Sequence, residues 1–187
     1  MFIQTELTPN PNAMKFLPGS DISPSTPVHF SSKKEALHSP LARKLFTING
    51  VGAVFLGADF ITITKDSNID WAILKPEILV SIMDHLAAKL PIFTEQKTTK
   101  QVPTEYLNEI EKQIMEIIET RVRPSVAMDG GDITYRGFEN GIVMLELKGA
   151  CSGCPSSTIT LKNGIESMLK HYVPEVESVE AIEDSEA

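Results

Sequence analysis

Residues 139–155 read Glu139-Asn140-Gly141-Ile142-Val143-Met144-Leu145-Glu146-Leu147-Lys148-Gly149-Ala150-Cys151-Ser152-Gly153-Cys154-Pro155, and they contain a turn, a strand, a CxxC pair and a helix start. Asn140-Gly141 is a strong signal for a two-residue hairpin turn, because both positions tolerate positive φ. In the strand that follows, Val143, Leu145 and Leu147 fall on one face, which the alternation marks as buried. The CxxC comes next. Pro155 suits the first position of a helix, which makes Cys154 its N-cap. Both sulfurs then lie where a helix N-terminus favours negative charge, so the cysteines are expected to titrate below the free-thiol value of about 8.5.

Working outward, the upstream strand spans Asp132–Phe138, and a helix precedes it from about Thr104, with Leu107, Ile110, Ile114 and Ile117 as its stripe. Pro124 is expected to stop that helix. Asp129-Gly130-Gly131-Asp132 reads as a tight turn needing positive φ, since the two carboxylates argue against a phosphate loop. Downstream, Leu161, Ile165, Met168 and Tyr172 give a helix face ending at Pro174, and Val176–Ile182 gives a last strand. The order is α-β-β-α-β.

Thr94-Glu95-Gln96-Lys97-Thr98-Thr99-Lys100-Gln101-Val102-Pro103 is polar and ends in proline, so residues 94–103 read as a flexible linker. The chain is therefore two small α+β domains, 1–93 and 104–187. The first has short strands at Phe2–Leu7, Lys15–Leu17 and Thr26–Phe30, with an irregular loop at Thr8-Pro9-Asn10-Pro11-Asn12. Ser39 and Pro40 open a short helix, and Val51–Leu56 and Phe60–Lys65 flank Gly57-Ala58-Asp59 as a hairpin. Asp70 caps a helix bearing Trp71, Leu74, Ile78, Ile82 and Leu86, which Pro91 closes. No cluster of catalytic residue types stands out here.

The net charge of −8 is unevenly placed. Residues 1–93 balance eight acids with eight bases, whereas 104–187 hold sixteen acids and seven bases. That field repels phosphate and excludes nucleic acid as a partner of the CxxC half. Glu183 to Ala187 reads as a solvated tail. No apolar run has the length of a membrane span, and Met1 to Glu6 lacks the features of a signal or transit peptide. The expectation is a soluble protein that is not secreted.

Cys151 and Cys154 are the only cysteines. A structural zinc takes four Cys or His ligands and an iron–sulfur cluster usually takes four thiolates, so one chain supplies half a set. A metal site would have to be shared between two molecules or completed by a foreign ligand. Three uses of the pair stand open: a cluster site, a thiol–disulfide couple and a zinc-linked interaction module. The redox use is weakened because its motif normally follows the first strand of a βαβ unit, not a hairpin. His29, His38, His85 and His171 show no ligand spacing, and His85 is placed near an apolar stripe as a packed residue. Ser156, Ser157 and Thr158 read as first-turn residues, not nucleophiles. Arg121 and Arg123 read as a solvated helix end pairing locally.

Met128-Asp129-Gly130-Gly131-Asp132 together with residues 149–157 resembles the NifU-like C-terminal domain. Thr8-Pro9-Asn10-Pro11-Asn12-Ala13-Met14-Lys15-Phe16, Gly57-Ala58-Asp59-Phe60-Ile61-Thr62 and Asp70-Trp71 resemble the N-terminal domain of Nfu scaffold proteins. The resemblance implies a non-enzymatic iron–sulfur scaffold or carrier that holds a cluster, typically [4Fe–4S], between CxxC pairs of two subunits and passes it to apo-proteins. It implies Cys151 and Cys154 as ligands, upstream cluster donors as partners, and a first domain that helps partner choice or stability. It places the protein in the bacterial cytoplasm, or in the mitochondrial matrix as a trimmed form.

Overall fold

The computed structural model describes residues 2–23, 27–94, 108–152 and 155–182, the last without the side chains of 155–158. It divides into two compact units, Met1–Thr98 and Thr99–Ala187. Both are α+β, as the sequence predicts. Among the described residues no helix is long and apolar enough to cross a membrane.

The first unit runs β1 (Gln4–Leu7), β2 (Ala13–Leu17), β3 (Val28–Phe30), α1 (Pro40–Leu45), β4 (Val51–Leu56), β5 (Ile61–Lys65) and α2 (Trp71–Ala87). The strands form one sheet in the order β1-β2-β5-β4-β3, and every neighbouring pair is antiparallel. Met14, Phe16, Val54, Leu56, Ile61 and Ile63 project from one face into a core shared with Leu41 and Leu45 of α1 and Leu74, Ile78 and Ile82 of α2. Local chemistry sets the ends. Ser39 Oγ accepts from Ala42 N with Pro40 behind it, and Asp70 Oδ1 accepts from Ala72 N at 2.9 Å. In the Pro-Asn loop, Asn10 Oδ1 accepts from Asn12 N at 2.9 Å, a side chain standing in for a backbone turn. Trp71 Nε1 donates to Pro11 O at 3.0 Å and ties that loop to the start of α2. Of the sequence's linker, Thr94 belongs to this unit, its N–H donating to His38 O at 2.9 Å, while 95–103 lie outside the described residues.

The second unit runs α3 (Glu109–Ile117), a π turn (Ile118–Val122), α4 (Arg123–Met128), β6 (Gly131–Glu139), β7 (Ile142–Gly149), α5 (Pro155–Tyr172) and β8 (Ser178–Ile182). β6 and β7 pair antiparallel, and α5 carries the chain across so that β8 lies parallel to β7. The helices cover one sheet face through Ile114, Ile118, Val126, Ile165 and Leu169 against Ile133, Val143 and Leu145.

Two expectations need correction here, on Pro124 and on Tyr172. Pro124 does not stop the helix. In a wide turn immediately before it Arg123 N bonds back to Ile118 O, which opens the backbone where the proline ring would otherwise crowd the preceding turn, and the helical path continues to Met128. Asn108 caps α3 through a reciprocal box with Glu111, and the expected first turn from Thr104 to Leu107 lies outside the described residues. On α5 the buried side runs through Ile165 and Leu169 to Val173, whereas Tyr172 is exposed. The acidic residues 183–187 also lie outside the described residues.

Candidate functional site

The hairpin β6–β7 builds the site. At its closed end Asn140 has φ 50° and Gly141 φ 78°, the two left-handed residues that let the strands keep their twist. The register runs to Gly131↔Gly149 at the open end. There Gly149 turns with φ 66°, and Ala150 N donates to Gly130 O at 3.1 Å. Ser152 closes the turn on the same carbonyl from both its groups, its N–H at 3.2 Å and its hydroxyl at 2.8 Å from Gly149 O.

Cys151 stands at the head of this turn and points inward, 5% exposed. The absence of a side chain on Gly131 makes its seat. A Cβ at 131 would lie 2.5 Å from Cys151 Sγ and 2.7 Å from Lys148 O. Gly130, with φ 81°, supplies the positive-φ turn expected of the Gly-Gly pair. Gly131 has a second duty that the sequence reading missed: it leaves the space the sulfur fills. The contact links residues twenty apart, and no local pattern announces it.

The electrostatics reverse a sequence expectation. Burial, then the Asp129 and Asp132 carboxylates, push the Cys151 thiol up to about 12. A helix start was expected to lower it. The desolvated seat penalises thiolate more than a helix terminus favours it, and two acids add to the penalty. Cys151 in this seat is a protonated, inward thiol at neutral pH. Cys154, with its expected role as N-cap, lies outside the described residues, as do the side chains of Ser156, Ser157 and Thr158. The helix itself begins at Pro155.

The wall of the site is held by charge. Asp132 is buried, and Arg123 Nε lies 3.0 Å from its Oδ1. The same guanidinium reaches Glu119 Oε2 at 2.6 Å and donates to Ile133 O at 3.0 Å. Arg123 is therefore a clamp between the π turn, α4 and β6, not a solvated helix end. Arg121 lies over the Tyr172 ring at 4.7 Å. Tyr135 OH donates to Glu111 Oε1 at 2.9 Å and joins β6 to α3. On β7, buried Glu146 accepts from Arg136 Nε at 2.7 Å and pairs with Lys148 at 3.2 Å. Arg-Pro followed by Asp-Gly-Gly-Asp is the only sequence hint of the clamp, and its partners are set by the fold.

His85 is buried in α2 with Nε2 3.2 Å from Pro91 O, as the packed reading expected. His29 tilts against Phe55 and His171 meets Tyr172 edge-on. Among the described residues no group of three or more His, Cys, Asp or Glu is placed to hold a metal ion.

Residues 3–89 match the family model described as scaffold protein Nfu/NifU N terminal, and residues 114–180 match the NifU-like domain. The human protein named NFU1 iron-sulfur cluster scaffold homolog, mitochondrial, is 50% identical over 188 residues, covering 100% of this chain and 74% of that protein. A protein of the same name from Drosophila ananassae is 50% identical over 189 residues, covering 99% of this chain and 65% of its own length. Among solved structures, a NifU-like protein from Saccharomyces cerevisiae is 32% identical, covering 51% of this chain and 87% of that one, with a TM-score of 0.47.

Proposed function

The chain belongs to the Nfu/NifU scaffold family, and from that premise we propose that it is a non-enzymatic carrier that takes up an iron–sulfur cluster, [4Fe–4S] in the first instance, between the Cys151 and Cys154 pairs of two copies and hands it to apo-proteins. One observation carries the reading: Cys151 is held at the open end of a hairpin by a glycine seat, in a chain with one other cysteine. Four thiolates require two such chains.

The cluster is cargo, and its passage is ligand exchange. On uptake Cys151 leaves its seat, and each of four carrier thiols gives up a proton to solvent and displaces one donor ligand from iron, so that each Fe–S(Cys) bond formed replaces one bond broken. On delivery a client thiolate displaces one carrier thiolate at a time, so the number of iron–sulfur bonds is conserved. Each released carrier thiolate takes back a proton, and Cys151 returns to the space over Gly131. A buried home for the free thiol opposes rebinding and favours departure of the cargo. The mitochondrial names of the relatives favour the matrix among the two expected locations.

The rival uses of the pair draw no comparable support. A redox couple needs an accessible thiolate, and Cys151 is buried with its thiol favoured. A zinc module would, like a cluster, take its ligands from two copies, and it is told apart by zinc without sulfide in the isolated protein.

Anaerobic incubation with ferrous iron and sulfide, followed by desalting and assay of both elements, tests the proposal. The expected result is iron and acid-labile sulfide in equal amount, abolished by Cys151→Ala and by Cys154→Ala. Equal loading of either variant, or zinc without sulfide in the freshly isolated protein, overturns it.

A further inference from the structure

Helix α2 carries apolar residues on two sides. Its inner side, Leu74, Ile78 and Ile82, is buried in the core. On its outer side Ile73, Pro76, Val80, Met83 and Ala87 follow at alternating intervals of three and four, and Leu90 extends the row past the helix end. Ile73 is 66% exposed, Val80 58%, Met83 38% and Leu90 49%. Isolated surface apolar residues need no explanation, but an unbroken three-four row is the seam by which one helix packs on another. Along one side of the row stand Glu77 and Asp84, the charged residues among the helix's exposed positions; Asp84 lies 3.9 Å from Lys44 Nζ in an exposed pair that leaves the carboxylate largely in water. Along the other side lie Ala72, Leu79 and Leu86.

We propose that the outer face of α2 docks an amphipathic helix of a partner protein, one whose apolar stripe is bordered by a row of Lys or Arg that meets Glu77 and Asp84. The occupant follows from charge. A second copy of α2 packed antiparallel sets the acidic row against its own image, with like charges opposed. Packed parallel, it lays Glu77 against the Leu79 and Leu86 side of its partner and desolvates that carboxylate. A basic row removes both penalties and adds attraction across the seam. An anionic lipid surface is opposed by the same two acids.

The test uses the full chain and two labelled synthetic helices with the same leucine stripe, one flanked by lysines and one by glutamates. Binding is followed by fluorescence anisotropy, with sedimentation of the chain alone and flotation with phosphatidylserine vesicles as controls. The lysine-flanked helix binds saturably and better than the other. Combined Glu77→Lys and Asp84→Lys weakens it by about tenfold and turns preference toward the glutamate-flanked helix. Val80→Ser, at an exposed position, weakens both without changing the unfolding midpoint. Equal binding of the two helices, no saturable binding of either, or indifference to these substitutions overturns the proposal. So does self-association or vesicle binding that Val80→Ser abolishes.

Discussion

Gly57 in the first unit and Gly131 in the second do the same mechanical work. A Cβ on Gly57 would lie 2.5 Å from the Phe60 ring, and a Cβ on Gly131 would lie 2.5 Å from Cys151 Sγ. Each glycine sits at the end of a strand of a hairpin and leaves room for one side chain. In the first unit the guest is a buried ring, and the turn around it is closed by backbone bonds from Ile22 N to Ala58 O at 2.7 Å and Ser23 N to Gly57 O at 3.0 Å. In the second the guest is the Cys151 thiol, the group that the proposed function draws out to bind iron. On that proposal the difference teaches where function resides: one space is filled for good, whereas the other holds a group that has to leave it.

The largest effect should come from removing the clamp that shapes the second space. Arg123→Ala leaves Asp132 buried without its cation, and since Arg123 is partly solvated the loss is expected near the lower end for a broken buried pair, about 3 kcal/mol in urea unfolding of the second unit. Little change in that midpoint would show that the wall stands without the clamp. Next, Gly131→Ala is expected to cost about 2 kcal/mol by overpacking and to raise the alkylation rate of Cys151 in a Cys154→Ala background. Gly57→Ala is expected to lose stability in the first unit alone and to leave that rate unchanged. If both substitutions speed alkylation equally, the seat is not local and the comparison fails.

Tyr135→Phe should be smaller, about 1 kcal/mol, because it deletes one hydrogen bond to the partly solvated Glu111 and leaves the ring packing. The smallest effect is a pH dependence confined to the first unit. Burial, opposed by the bond to Pro91 O, lowers the pKa of His85 below its ordinary value of 6.5. The unfolded chain then takes up the proton first as pH falls. Stability is full above the unfolded pKa and declines as the pH drops through it toward the folded one. Thermal midpoints between pH 7.5 and 5 should show the decline, and His85→Leu should flatten it.

What the sequence made legible was local. Ser39-Pro40, Asp70 and Asn140-Gly141 each fix a helix start or a turn through groups within three residues, so they read correctly without knowledge of the fold. The parallel placement of β8, the reach of Arg123 to Asp132 and Ile133, and the Gly131 seat depend on residues nine or more positions apart, and composition or periodicity cannot pair them. Pro124 was misread because its penalty is local but its relief, a wide turn one step earlier, is a choice made by packing. The sign of the Cys151 shift was misread for a related reason. The helix start was visible, whereas the burial of the sulfur and the approach of Asp132 were not.

The central claim is that the cysteine turn is half of a site. Sedimentation velocity of the anaerobically loaded protein, recorded at 280 nm and in the visible absorption band of the cluster, tests it most directly. The account predicts a species of twice the chain mass carrying the visible absorbance, with about two irons per chain for a [4Fe–4S] cargo, and a return to the lighter species when a chelator strips the iron. Visible absorbance travelling with the single-chain species would contradict it.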